Sequence, residues 1–204
     1  MPQVSKLAIA GYLSLWAAGI LFGTRYLNTY SNTPGETAIP VERWPVDTAL
    51  HLAPNGTTLL VAIHPQCTCS AASVEELRKA VARSGEHPLI YALVYHPSNK
   101  PEGWSDTSAV RAVRKIPGSR IVIDRDGAEI DKFHARVSGE VFLYDARGSL
   151  RFKGGVTVRR GHPGESKGSD ALTGLLRHTD LAFVQTPVFG CSLRNVIEAA
   201  ETPK

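Results

Sequence analysis

The chain has little cysteine: three residues in 204, too few for a scaffold held together by disulfides. It also lacks any long run of like charge. The net charge of +4 is scattered, and the densest basic cluster, Arg159-Arg160, is two residues long. Nucleic-acid binding calls for a basic stripe or a recognisable module, and neither is present. A glycine-rich phosphate loop is missing as well, because Gly154-Gly155 lacks the motif and its strand-to-helix context, so no organic cofactor is implied. There is no internal repeat. What remains is a chain with 43% apolar and 21% charged residues, the composition of a folded protein, long enough for one compact domain and an appendage.

The appendage is at the N-terminus. Residues 7–24 form an uncharged run of 18, bracketed by Lys6 and Arg25. At about 1.5 Å per residue the run nearly crosses a hydrocarbon core of about 30 Å. A secretory signal peptide would end in a small-residue cleavage site, whereas Arg25-Tyr26-Leu27 follows here. The expectation is an uncleaved anchor over residues 1–26, with a cleaved signal or a buried helix as alternatives. Flanking charge is almost balanced, and the short leading tail favours a cytoplasmic start with the domain outside.

Residues 27–56, rich in Thr, Asn, Pro and Gly, read as a linker with one short strand near 41–44. A domain over 57–193 and a tail over 194–204 follow. Strands are expected at 57–63, 89–95 and 121–124, and a hairpin at 141–144 and 150–153 around Asp145-Ala146-Arg147-Gly148. Helices are expected at 69–84, with Val74, Leu77 and Val81 on one face, at 105–116, in a short stretch towards His134, and at 170–178. Ser73 and Glu76 would make a capping box if the regular helix began later than residue 69. The segment from 181 onward has no clear period.

Two of the three thiols stand one residue apart in His64-Pro65-Gln66-Cys67-Thr68-Cys69-Ser70, where an apolar run breaks and a helical run begins. Helix N-terminal amides stabilise thiolate and lower a cysteine pKa from about 8.5 towards roughly 3.5–7.5. Side chains at i and i+2 do not face each other on a helix. Cys67 and Cys69 can therefore pair only across the helix boundary, with Cys67 in the loop. Cys67 is the expected attacking thiolate and Cys69 its resolving partner.

A metal site is the alternative use of the same thiols. Cys67, Cys69, His64 and a loop histidine such as His162 form a thiolate–imidazole set suited to zinc or cuprous copper. His96 ends a neighbouring strand at the same sheet edge. Four of the seven histidines precede proline, however, a position that simply favours extended backbone. Cys191, in Pro187-Val188-Phe189-Gly190-Cys191, is either a core residue or a third thiol that reaches the loop as resolving partner or ligand. Arg159, Arg160 and His162 either supply positive charge to a thiolate or form a solvated loop.

His64-Pro65-Gln66-Cys67-Thr68-Cys69-Ser70, Val141-Phe142-Leu143-Tyr144-Asp145, Gly154-Gly155-Val156-Thr157, Arg160-Gly161-His162 and Pro187-Val188-Phe189-Gly190-Cys191 together resemble the membrane-anchored thioredoxin-like proteins, in particular the RedB-like branch. The resemblance implies an α/β fold, a thioredoxin-like mixed sheet flanked by helices and preceded by an N-terminal transmembrane helix, and thiol–disulfide exchange. Three departures stand out. The spacing is Cys-x-Cys; Gln66, not tryptophan, precedes the first thiol; and Gly139 stands where thioredoxins place a cis-proline facing the disulfide.

The combined expectation is a single-pass membrane protein whose domain faces the periplasm or cell exterior and exchanges disulfides with exocytoplasmic protein thiols or disulfides. Its catalytic residues are Cys67 and Cys69, supported by His64, Gly139 and His162, with Cys191 as a further resolving thiol. The alternatives are a copper or zinc module on Cys67, Cys69 and His64, and a non-catalytic interaction domain.

Overall fold

The structure, a computed structural model, describes residues 6–178 and 182–194. The chain divides into two compact units, Met1–Thr33 and Pro34–Lys204. The first is one helix, α1 (Lys6–Asn32), which runs six residues beyond the expected anchor boundary at 26. Its apolar run is diluted by Gly11, Tyr12, Ser14 and Gly19 and is closed by Arg25. Among the described residues no helix is long and apolar enough to cross a membrane, so the expected spanning helix over 7–24 is not borne out.

The second unit is built on a six-stranded sheet of order β3-β2-β1-β4-β5-β6. Its elements are β1 (Thr58–Ile63), α2 (Ser70–Ser84), β2 (Leu89–His96), α3 (Ser108–Val113), β3 (Ser119–Arg125), α4 (Ala128–Lys132), β4 (Val141–Tyr144), β5 (Leu150–Gly154), α5 (Lys167–Arg177) and β6 (Val184–Gln185). β1 pairs parallel to β2 and antiparallel to β4, in register Leu59↔Ile90 and Leu59↔Leu143. β2 and β3 pair parallel, β4 and β5 form the hairpin, and β6 lies parallel to β5.

Both faces of the sheet are covered, so the central strands are apolar at nearly every position rather than alternating. Leu59, Val61 and Ile63 point to the face packed by Val74, Leu77 and Val81 of α2, Val110 of α3 and Leu172 of α5. Leu60 and Ala62 point to the other, with Tyr91, Leu93, Phe133, Phe142 and Tyr144.

Four expectations change. Residues 34–56 are no free linker: Trp44 packs edge-on against Phe133 and Tyr144, Leu50 is buried, and the Tyr144 hydroxyl donates to the Val41 carbonyl at 2.9 Å. The strand near 41–44 is a single antiparallel bridge, Arg43 to Ser149. The helix over 105–116 divides into a 3-10 turn (Glu102–Ser105) and α3, because Thr107 is extended and its hydroxyl caps Val110. No capping box forms at Ser73 and Glu76: α2 begins three residues earlier, placing both inside it, and Glu76 pairs with Lys79 at 2.9 Å. The capping box is at Ser166 and Ser169, opening α5. Most of the tail expected over 194–204 lies outside the described residues.

Candidate functional site

Parallel strands leave loops at their carboxyl edge, and that is where open α/β sheets place sites. β1 ends at Ile63, and the next backbone N–H, that of His64, donates to the Ser138 hydroxyl at 2.8 Å. Ser70 donates to the His64 carbonyl at 3.2 Å and lies 2.8 Å from the Ser138 hydroxyl. The Cys67 N–H donates to His64 (3.0 Å), and the Ser70 N–H to Cys67 (3.1 Å). Two serines thus hold the turn that presents Cys67. Cys69 is the N-cap of α2 with helical backbone angles, and its sulfur makes no capping bond.

Cys191 arrives from the far end of the chain. Thr186 donates to Lys153 (3.1 Å), Gly35 to Val188 (2.8 Å), Ser138 to Cys191 (2.8 Å) and Leu193 to Arg136 (2.9 Å), all through backbone amides. A bridge between Val137 and Ser192 makes the crossing antiparallel. A Cβ at Gly190 would lie 1.9 Å from the Ser138 carbonyl oxygen, so only glycine permits this approach.

The result is a three-sulfur cluster. Cys67 Sγ and Cys191 Sγ are 2.9 Å apart, and all three sulfurs lie within 4.8 Å of one another. Cys67 and Cys69 are buried and Cys191 is half-buried. The contact with the Cys191 sulfur holds the Cys67 pKa down to about 4 against the opposing effect of burial, with help from backbone amides and Ser70. The Cys69 thiol is pushed up by burial, then by the neighbouring Cys67 charge. That of Cys191 is pushed up because its proton is held by Cys67, and further by burial. One thiolate stands beside two thiols. Arg160, whose guanidinium donates to the Gly190 carbonyl, favours negative charge on Cys69 and Cys191.

The histidines are placed differently from the expected ligand set of Cys67, Cys69 and His64. His64 is buried with its ring stacked on Tyr95 and edge-on to Trp104, at centroid distances of 5.9 and 5.5 Å. His96 is buried between the Ser105 hydroxyl (3.2 Å) and the Lys100 carbonyl (3.3 Å). His162 is exposed, its Nδ1 2.6 Å from the Arg160 carbonyl. Among the described residues Cys191, not a histidine, completes the group that converges with Cys67 and Cys69.

Gly139 has φ +90°, a trans peptide, and an N–H that donates to Ala62 at 2.7 Å. Proline has φ near −65° and no N–H, so it cannot stand here.

Glu140, which sequence reasoning passed over, ties this loop together. One carboxylate oxygen accepts from the Arg136 N–H (2.9 Å), and the other lies 3.4 Å from the buried Lys153 ammonium. Burial pushes the Glu140 pKa up, against those contacts. A lysine and a glutamate flanking core-strand residues were the available signal.

No family model and no curated protein sequence matches the chain. Among solved structures it is similar to an uncharacterized conserved protein from Geobacillus kaustophilus, at 14% identity over 80% of this chain and 92% of that one, with a TM-score of 0.50. A hypothetical protein from Sinorhizobium meliloti is similar at 17% identity over 79% and 93%, with a TM-score of 0.49. A secreted disulfide oxidoreductase of Mycobacterium tuberculosis is similar at 17% identity over 62% and 82%, with a TM-score of 0.39. Two parallel pairings, an antiparallel return beside β1, helices on both faces and a cysteine loop at the carboxyl end of β1 define the architecture: the chain has a thioredoxin-like fold.

Proposed function

We propose that the protein is a thiol–disulfide oxidoreductase, tethered to a membrane by α1 and acting on exocytoplasmic protein thiols or disulfides through Cys67 and Cys191. The observation that carries the reading is the 2.9 Å contact between the Cys67 and Cys191 sulfurs, with the thiolate held on Cys67. A disulfide needs a separation of about 2.05 Å, so a small closure joins them. The support for tethering is the composition of α1, which carries Ile9, Leu13, Trp16, Ile20, Phe22 and Leu27 with tyrosines at 12, 26 and 30. Tryptophan and tyrosine favour membrane interfaces.

The Cys67 thiolate attacks one sulfur of a substrate disulfide. A mixed disulfide forms, and the other substrate sulfur leaves as thiolate and takes a proton. Cys191 then loses its proton and attacks Cys67, expelling the second substrate thiol. Two protein thiols have become one disulfide and one substrate disulfide has become two thiols. The same steps reversed oxidise a substrate. Cys191, rather than Cys69, resolves in this reading because its sulfur already contacts Cys67 at 2.9 Å.

The test uses oxidised glutathione as the disulfide with full-length variants. Cys191→Ser is expected to accumulate a glutathione adduct at Cys67, found by mass spectrometry, while Cys69→Ser turns over to the Cys67–Cys191 disulfide. Accumulation only in Cys69→Ser would assign resolution to Cys69. Neither an adduct nor a new protein disulfide in either variant would overturn the oxidoreductase reading in favour of an interaction domain.

A further inference from the structure

The three sulfurs converge more closely than a two-thiol exchange requires. We propose that the reduced protein binds one soft monovalent cation, Cu(I), between the sulfurs of Cys67, Cys69 and Cys191. The site shares Cys67 and Cys191 with disulfide exchange and needs both reduced, but binding and exchange are read by separate measurements.

Geometry is the first argument. Metal–thiolate bonds of about 2.3 Å in a trigonal plane put the sulfurs about 4 Å apart. The three sulfurs lie within 4.8 Å of one another, and the 2.9 Å pair must open by about 1 Å. Cys191 is half-buried where Cys67 and Cys69 are buried, so its side chain is the one with solvent beside it.

Ligand number is the second. Among the described residues no histidine, aspartate or glutamate joins the cluster. Structural zinc sites take four protein ligands, whereas soft thiolates select Cu(I). An all-sulfur set of three therefore fits cuprous copper better than zinc.

Charge is the third. Cu⁺ held by three thiolates carries a net charge of −2. The Arg160 guanidinium beside it and the first turn of the 15-residue helix α2 offset that charge.

The experiment is an anaerobic titration of the fully reduced full-length protein with Cu(I) against a chromophoric Cu(I) chelator. One equivalent is expected to bind, with a thiolate-to-copper absorption band. Cys69→Ser is expected to weaken binding by more than the ~10–100-fold that loss of an outer-sphere partner costs. In the same variant a glutathione redox titration reads the Cys67–Cys191 couple, so failure of the exchange reading is seen separately. His64→Ala is expected to leave the Cu(I) affinity within about threefold of the parent. Absence of binding, or affinity unchanged in Cys69→Ser, would overturn the proposal; so would a larger loss in His64→Ala than in Cys69→Ser.

Discussion

Cys67 is set apart from the other two cysteines by what donates to it rather than by exposure. Its sulfur is buried, which by itself would favour the neutral thiol, yet the Cys191 thiol, two backbone amides and Ser70 outweigh that. A lowered pKa means the thiolate persists as pH falls, until pH passes the folded value. Alkylation of Cys67 by iodoacetamide should therefore stay nearly level from pH 7 to 5 and drop about tenfold per unit below about 4, where an ordinary thiol already declines below about 8.5. Cys191→Ala removes the leading donor and should move that fall upward, whereas Cys191→Ser, which keeps a hydroxyl, should move it less. Peptide mapping of the alkylated protein across pH checks both. An unchanged profile in Cys191→Ala would show that the loop amides alone hold the charge.

The elements around the site were unequally legible in the sequence. β1, β2 and the β4–β5 hairpin were readable because both sheet faces are buried and short apolar runs bounded by turns leave no other place for them. The helix over 105–116 was misplaced because its apolar spacing continues through Thr107, where the side chain caps the helix instead of extending it. The cysteine turn was legible and Cys191 stood as one candidate partner, but nothing in the spacing of Cys67 and Cys69 decides between a core position and a contact for a sulfur 124 positions away. The backbone crossing at Ser138 and the glycine at 190 bring it there. Residues 34–56 were misread for a related reason, since Trp44 and Leu50 are isolated apolar residues with no period of their own. Trp44→Ala should lower unfolding free energy by about 3 kcal/mol in a urea melt; a loss below about 0.5 kcal/mol would restore the linker reading. At the next element, Lys153→Met leaves Glu140 buried without its cation and should cost about 3–5 kcal/mol, with Glu140→Gln/Lys153→Met recovering part of it. Losses in Glu140→Gln and Lys153→Met alone that simply add in the double variant would show that the pair is not coupled.

At the scale of the whole molecule, two compact units imply two separable properties. Deleting residues 1–33 should release the protein from the membrane fraction on flotation and leave the Cys67–Cys191 redox titration unchanged. Continued flotation of the truncated protein would place membrane contact elsewhere. The long span between Cys67 and Cys191 adds a consequence of another kind. Closing a ring of 124 residues restricts the unfolded chain by about 5 kcal/mol in the entropic model, equivalent to about 100 mV for a two-electron couple. The stabilised Cys67 thiolate of the reduced state works against that difference, so the observed value should be smaller. By the thermodynamic cycle, whatever the bond adds to folding stability, folding adds to the bond. The gap in unfolding free energy between oxidised and reduced protein must equal the gap in couple potential between native and denatured chain. The melting point of this protein would then report its redox state, and a calorimeter and a redox buffer should return the same number.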